Sequence, residues 1–294
     1  MIDPKMLEQI VHGQGFIAAL DQSGGSTPGA LKGYGVEADA YASEEEMFAA
    51  IHAMRTRIIT SPCFNGDKVI GAILFERTMD GDADGTPVPE ALWARGVVPF
   101  LKVDKGLEDE ADGVKLMKPM PDLDALCARA VDKGVFGTKM RSVIERASPT
   151  GIAAIVKQQF EVAAQISGHG LMPIIEPEVS IKSPDRAQCD VILRDEILQA
   201  LDAMSTGQVM LKLTLPAEAN LFAPLVDHPR VLRVVALSGG FSREEACRQL
   251  AQNRGVIASF SRALLSDLRY QMSDKEFDGA LGTAIDDIYE ASVA

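Results

Sequence analysis

Eight short apolar runs constrain this chain more than anything else in it: Phe16–Leu20, Val69–Phe75, Val97–Val103, Val135–Met140, Leu171–Ile175, Val209–Leu215, Val231–Leu237 and Val256–Phe260. Each is continuous rather than alternating, the pattern of a strand covered on both faces, and each is followed by a segment with helical periodicity. A parallel sheet wrapped by helices satisfies both facts. Eight such units favour a (β/α)8 TIM barrel of the α/β class over an open doubly wound sheet, and no Gly-rich dinucleotide fingerprint follows the first run. At 294 residues the chain suits one barrel, and no repeat or flexible linker divides it. The expectation is a single domain over residues 1–294 with a closing helix at about 273–292.

The intervening segments carry their own start signals. Ser43 with Glu46, Ser242 with Glu245 and Ser273 with Glu276 have capping-box spacing, while Ser148-Pro149 and Ser183-Pro184 place a cap before a helix-opening proline. Met47, Ile51, Met54 and Ile58 then recur on one helical face, as do Ile152, Val156 and Phe160, and Phe277, Leu281, Ile285 and Ile288. Asp80–Pro89 and Glu108–Asp112 read as solvated loops.

The net charge of −13, from 42 acidic and 29 basic residues, disfavours nucleic acid or an anionic membrane as partner; an anionic substrate would need a local basic pocket. The start, Met1–Glu8, is broken by charges and no apolar run is long enough to cross a bilayer, so the expectation is a soluble, cytoplasmic protein. Cys63, Cys127, Cys189 and Cys247 lie about 60 residues apart and read as reduced and buried. With His12, His52, His169 and His228 equally scattered, nothing points to a protein-bound metal. Homo-oligomer formation is left open.

Barrel chemistry belongs at the C-terminal ends of the strands. There the sequence sets Asp21, Glu76, Lys102, Lys139 with Arg141, Glu176 with Glu178, Lys212, Ser238-Gly239-Gly240, and Ser259 with Ser261-Arg262. Lys212 sits inside Val209–Thr214, a run otherwise fit for burial. Desolvation favours the neutral amine, which can attack a carbonyl and form a Schiff base, and a second cation such as Lys139 would push in the same direction. The plainer alternative is a lysine paired with a carboxylate. Glu176 and Glu178, two apart on a strand, could shuttle protons or simply pair with Lys139 or Arg141. Glycines, a helix start and an arginine after the last two runs suit a phosphate cradle.

The segments Gly15–Pro28 (GFIAALDQSGGSTP), Leu101–Gly106 (LKVDKG), Gly137–Arg141 (GTKMR), Pro173–Glu178 (PIIEPE), Lys212, Leu237–Gly240 (LSGG) and Ser259–Leu264 (SFSRAL) occur in an order that resembles the small bacterial class I fructose-bisphosphate aldolases, nearly end to end. The resemblance implies a metal-independent, cofactor-free lyase of glycolysis and gluconeogenesis. It would cleave fructose 1,6-bisphosphate reversibly to dihydroxyacetone phosphate and glyceraldehyde 3-phosphate. It also implies roles: Lys212 as Schiff-base nucleophile, Glu176 as acid/base assisted by Lys139 with Glu178 nearby, and Asp21 as base for the C4 hydroxyl. Ser238, Gly239, Arg262 and Ser261 would surround the C1 phosphate, and Lys102, Ser23 and Ser26 would face the C6 phosphate.

Compared with the longer muscle-type pattern, Ala30 stands where an arginine clamps phosphate, with Lys32 a candidate substitute. Ser261 replaces a glycine. Met140, beside the lysines, replaces a tryptophan. The chain ends Ala291–Ala294 without a terminal tyrosine, so the group that moves the C3 proton is unassigned, and Tyr289 is expected to pack. The rivals are a Schiff-base enzyme for another ketose phosphate and a non-catalytic sugar-phosphate binder.

Overall fold

Parallel ladders link eight strands in chain order: β1 (Phe16–Leu20), β2 (Val69–Leu74), β3 (Val98–Lys102), β4 (Gly137–Ile144), β5 (Met172–Val179), β6 (Val209–Thr214), β7 (Val231–Leu237) and β8 (Val256–Ala258). The computed structural model describes residues 3–294, so Met1 and Ile2 of the charged start lie outside the described residues. The Ala19 amide donates to the Phe260 carbonyl at 3.1 Å, which brings the last strand round to the first. All eight expected runs are strands. The result is an α/β barrel, β1 to β8, ringed by helices.

The continuous apolar runs divide their residues between two cores. Phe16, Ala18 and Leu20 of β1 face the helices, whereas Ile17 faces the barrel axis with Ile73, Val98, Phe100, Ile174, Met210, Val235 and Ile257. Alternation is therefore present in destination rather than in polarity, as a strand buried on both faces requires. Helix α1 (Pro4–His12), capped by Asp3, plugs the N-terminal end by adding Met6 and Ile10 to the axial core. This apolar floor directs anything polar on the axis to the C-terminal mouth.

Several local expectations need correcting. Strands β4 and β5 run on to Ile144 and Val179, past their apolar runs, and pair residue for residue from Gly137↔Met172 to Ile144↔Val179. Ladder bonds are made by the backbone, so Arg141, Ser142 and Glu178 extend the strands without an apolar signature. Asp80–Pro89 is not an open loop: Asp82–Ala83 pairs with Thr86–Pro87 in a small hairpin around Asp84 and Gly85, both at positive φ. Ser183 does not cap the helix Arg186–Asp202, whose N-cap position is Asp185. Of the three capping boxes only that of Ser273 and Glu276, at the head of the closing helix Asp274–Ser292, is complete. Ser43 and Ser242 cap their helices, but Glu46 turns to the Ala42 amide and Glu245 to Arg248 and Gln249. Cys127 and Cys189 are buried thiols; Cys63 and Cys247 are only half-buried, and all four are unpaired.

Candidate active site

Above the layer of Ile174, Met210 and Val235, the axial residues of the next layer become ionic. Strand pairing sets Lys102 beside Lys139 and Arg141 beside Glu176, while Lys212 lies opposite Val235. Together with Asp21, Glu178 and the loops after β1, β7 and β8 these side chains line one cavity of about 760 Å³ at the mouth of the barrel. All twelve candidate residues line it: Asp21, Ser23, Ser26, Lys102, Lys139, Glu176, Glu178, Lys212, Ser238, Gly239, Ser261 and Arg262.

At its centre Glu176 bridges two amines. One carboxylate oxygen lies 2.9 Å from Lys139 Nζ and the other 3.2 Å from Lys212 Nζ, with all three side chains almost wholly buried. Lys139 Nζ also stands 2.6 Å from Asp21 Oδ2. Burial opposes the charge on Lys139, but Asp21, Glu176 and Asp104 outweigh it and hold the amine well above the usual lysine range. Burial likewise opposes ionisation of Asp21; Lys139, Lys212 and Lys102 overcome it and keep the carboxyl far below the usual carboxylate range. Asp21 is thus an anion at rest and Lys139 a fixed cation. Glu178 lines the same cavity and pairs with Arg141 Nε, as Glu176 pairs with Lys139, which is the pairing reading of these two carboxylates.

The opposite wall is built from backbone. After β7, Gly239 and Gly240 adopt φ of +58° and +114°, which L side chains rarely do. A Cβ on Gly239 would fall 2.6 Å from an Ile181 methyl, and one on Gly240 would lie 3.2 Å from the Arg262 guanidinium. The glycines therefore let the loop lie close beneath Arg262. Among the described residues Arg262 is the one cation of the cavity wall that no carboxylate pairs. The Ser261 hydroxyl accepts from Gln22 Nε2 at 2.5 Å.

Other expectations fail. Glu76 does not line the cavity; it pairs outside with Lys105 and Arg129, because the chain turns into the helix Glu76–Asp80 directly after β2. Met140 is adjacent to Lys139 in sequence but sits in the core facing the helices, on the other side of the strand. Lys32 is exposed and does not line the cavity beside Ala30. Tyr289, by contrast, packs against the core as expected, with Lys68 Nζ 5.5 Å from its ring. Lys102 is held by Asp104, whose carbonyl and Oδ1 each lie 2.8 Å away. Asp104 was missed, although its spacing of two from Lys102 signals a shared face. Gln22 and the arginine behind it, Arg55, were missed as well. The only sign of Arg55 was a cation at helical spacing from Ile51 and Ile58 on an apolar stripe.

A family model for fructose-bisphosphate aldolase class-I matches residues 5–224. The chain belongs to the class I fructose-bisphosphate aldolases. A curated relative, fructose-bisphosphate aldolase class 1 of Porphyromonas gingivalis, is 56% identical over 293 residues, which is 99% of this chain and 100% of the relative. The fold of this aldolase is also that of a solved fructose-bisphosphate aldolase from Plasmodium falciparum. Their TM-score is 0.81 at 20% identity, over 98% of this chain and 92% of the other. Among the described residues, no helix of the aldolase is long and apolar enough to cross a membrane.

Proposed function

We propose that this aldolase cleaves fructose 1,6-bisphosphate reversibly to dihydroxyacetone phosphate and glyceraldehyde 3-phosphate through a Schiff base on Lys212, the whole chain acting as one barrel domain in the cytoplasm. The observation that supports it is the carboxylate of Glu176 standing between two amines, one that is a fixed cation and one that faces the cavity. Lys212 Nζ attacks the C2 carbonyl of the open-chain sugar, and Glu176 carries the protons that turn the adduct into a carbinolamine and then expel its oxygen as water. Lys139 stays charged throughout. It orients Glu176 and supplies positive potential where the carbonyl oxygen gains electron density.

The iminium then serves as electron sink. Asp21 takes the proton from the C4 hydroxyl, the C3–C4 bond breaks, its electrons flow to the iminium nitrogen, and the aldehyde half departs, leaving an enamine. Protonation at C3 and hydrolysis release the ketone half. The C1 phosphate is held by Arg262, Ser238 and the Gly239 backbone with Ser261 beside them, and the C6 end lies toward Lys102, Ser23 and Ser26. Four unpaired cysteines suit a reducing compartment. Cleavage assayed in excess EDTA tests the chemistry. Full wild-type turnover with none from Lys212→Met is expected, and loss of wild-type turnover on chelation contradicts it.

A further inference from the structure

Arg55 lies behind the cavity wall, on the helix Glu44–Thr60, and is 1% exposed. Among the described residues no carboxylate is paired with it. Its Nη1 donates to Thr78 Oγ1 at 2.7 Å, its Nη2 donates to the Gln22 carbonyl at 2.5 Å and to Gln22 Oε1 at 3.1 Å, and its Nε has no partner. Burial depresses its guanidinium to about 10, against the opposing charge of Asp21. Holding a buried cation on neutral acceptors is costly, and an apolar side chain would suit the stripe of Ile51, Met54 and Ile58 better. Packing alone gives no reason for an arginine here.

The reason lies at Gln22, the residue after Asp21. Its side chain donates to the Ala19 carbonyl at 3.1 Å and to Ser261 Oγ at 2.5 Å, so it spans the seam where β8 meets β1. Arg55 grips both the backbone and the side chain of this bridge, and Thr78, from the helix after β2, fixes the other arm of the fork. We infer that Arg55 is a positioning residue for C3–C4 bond cleavage: it holds the Gln22 peptide, and thereby sets Asp21 against the phosphate loop of Ser261 and Arg262. The effect is one of geometry. Asp21 already faces Lys139, Lys212 and Lys102, with Glu176 beyond Lys139, and those three lysines are the main charges that keep it ionised, Arg55 adding to them from behind.

This rests on the roles proposed for Lys212 and Asp21, and the test separates the two. Schiff-base formation with dihydroxyacetone phosphate needs Lys212 and Glu176 but not Asp21; cleavage of fructose 1,6-bisphosphate needs all three. A misplacement of about 1 Å costs on the order of 10²-fold in rate. Arg55→Met should therefore lose about 10²-fold in kcat for cleavage, with KM within about 2-fold and the borohydride-trapped adduct formed as in wild type. Arg55→Lys keeps the charge but not the two-armed fork and should recover only part of the loss. If Arg55→Met does not fold, Thr78→Val, which removes one anchor of the fork, should give the same split at smaller size. Unchanged cleavage, or trapping and cleavage lost together, would overturn the inference. A wild-type protein that forms no adduct would overturn the underlying roles instead.

Discussion

Lys139 is the residue on which the site's electrostatics turn, because it is the cation that both Asp21 and Glu176 contact. Removing it as Lys139→Met would leave two carboxylates buried with only Lys212 between them. Breaking a buried pair from one side costs about 3–5 kcal/mol, so chemical denaturation should show a loss of that order along with the loss of activity. The pH dependence has a definite sign. Asp21 is depressed in the folded protein, so its stabilisation is present above the unfolded carboxylate value and disappears as pH falls through the folded value. Acid unfolding of the wild type should set in well below about pH 4, and Lys139→Met should unfold at higher pH. Glu176→Gln keeps the shape of the bridge but removes its proton transfer and its charge, and should lower kcat by about 10²–10⁴-fold while also destabilising the fold, because it breaks the same buried pairs from the other side. These residues were legible in the sequence because each is a charge at the end of an apolar run, where a barrel exposes its axis. Arg55 and Gln22 were not. Their importance lies in contacts between the helix Glu44–Thr60 and the β1–β8 seam, which no local pattern encodes.

At the level of elements, the helix Arg186–Asp202 and the loop after β6 show how the strand bearing Lys212 is anchored. Arg186 donates to the Leu215 carbonyl, and Asp190 Oδ2 accepts from the Ala217 amide at 2.8 Å, while Asp190 Oδ1 has no partner. Burial pushes the Asp190 carboxyl up to about 6, against the Ala217 amide and Arg186. An acid raised on folding is more stable protonated in the folded state, so its contribution is complete below about pH 4 and is lost as pH rises through about 6. Asp190→Asn should keep the acceptor for Ala217 and remove the titration. It should match the wild type near pH 4 and be more stable at pH 7 by up to about 3 kcal/mol, as equilibrium unfolding at the two pH values would show. Ser273→Ala, which dismantles the complete capping box at the head of the closing helix, should cost about 1 kcal/mol without changing kcat, since Ser273 does not line the cavity. The strands were readable because two-sided burial writes continuous apolar runs. Their extensions past Met140 and Ile175, and the Asp82–Pro87 hairpin, were not readable, because backbone pairing between polar residues leaves no hydrophobic trace.

Across the whole molecule a net charge of −13 surrounds a cavity of the opposite sign. Its wall carries five cations, Lys102, Lys139, Arg141, Lys212 and Arg262, against four carboxylates, Asp21, Asp104, Glu176 and Glu178, so 5 − 4 leaves +1. The surplus is Arg262, at the end assigned to the C1 phosphate. The end assigned to the C6 phosphate relies on Lys102, which is already paired with Asp104. Loss of the C1 phosphate should therefore cost more than loss of the C6 phosphate. Fructose 1-phosphate should keep at least about 10-fold more kcat/KM than fructose 6-phosphate, a difference the size of one charge-assisted hydrogen bond. The central claim is the identity of the nucleophile. Incubation with dihydroxyacetone phosphate, borohydride reduction and peptide mapping tests it in one step, because only a Schiff base is trapped. The adduct is expected on the peptide containing Lys212. An adduct on Lys139 or Lys102, or none from a protein that still cleaves fructose 1,6-bisphosphate, would contradict it.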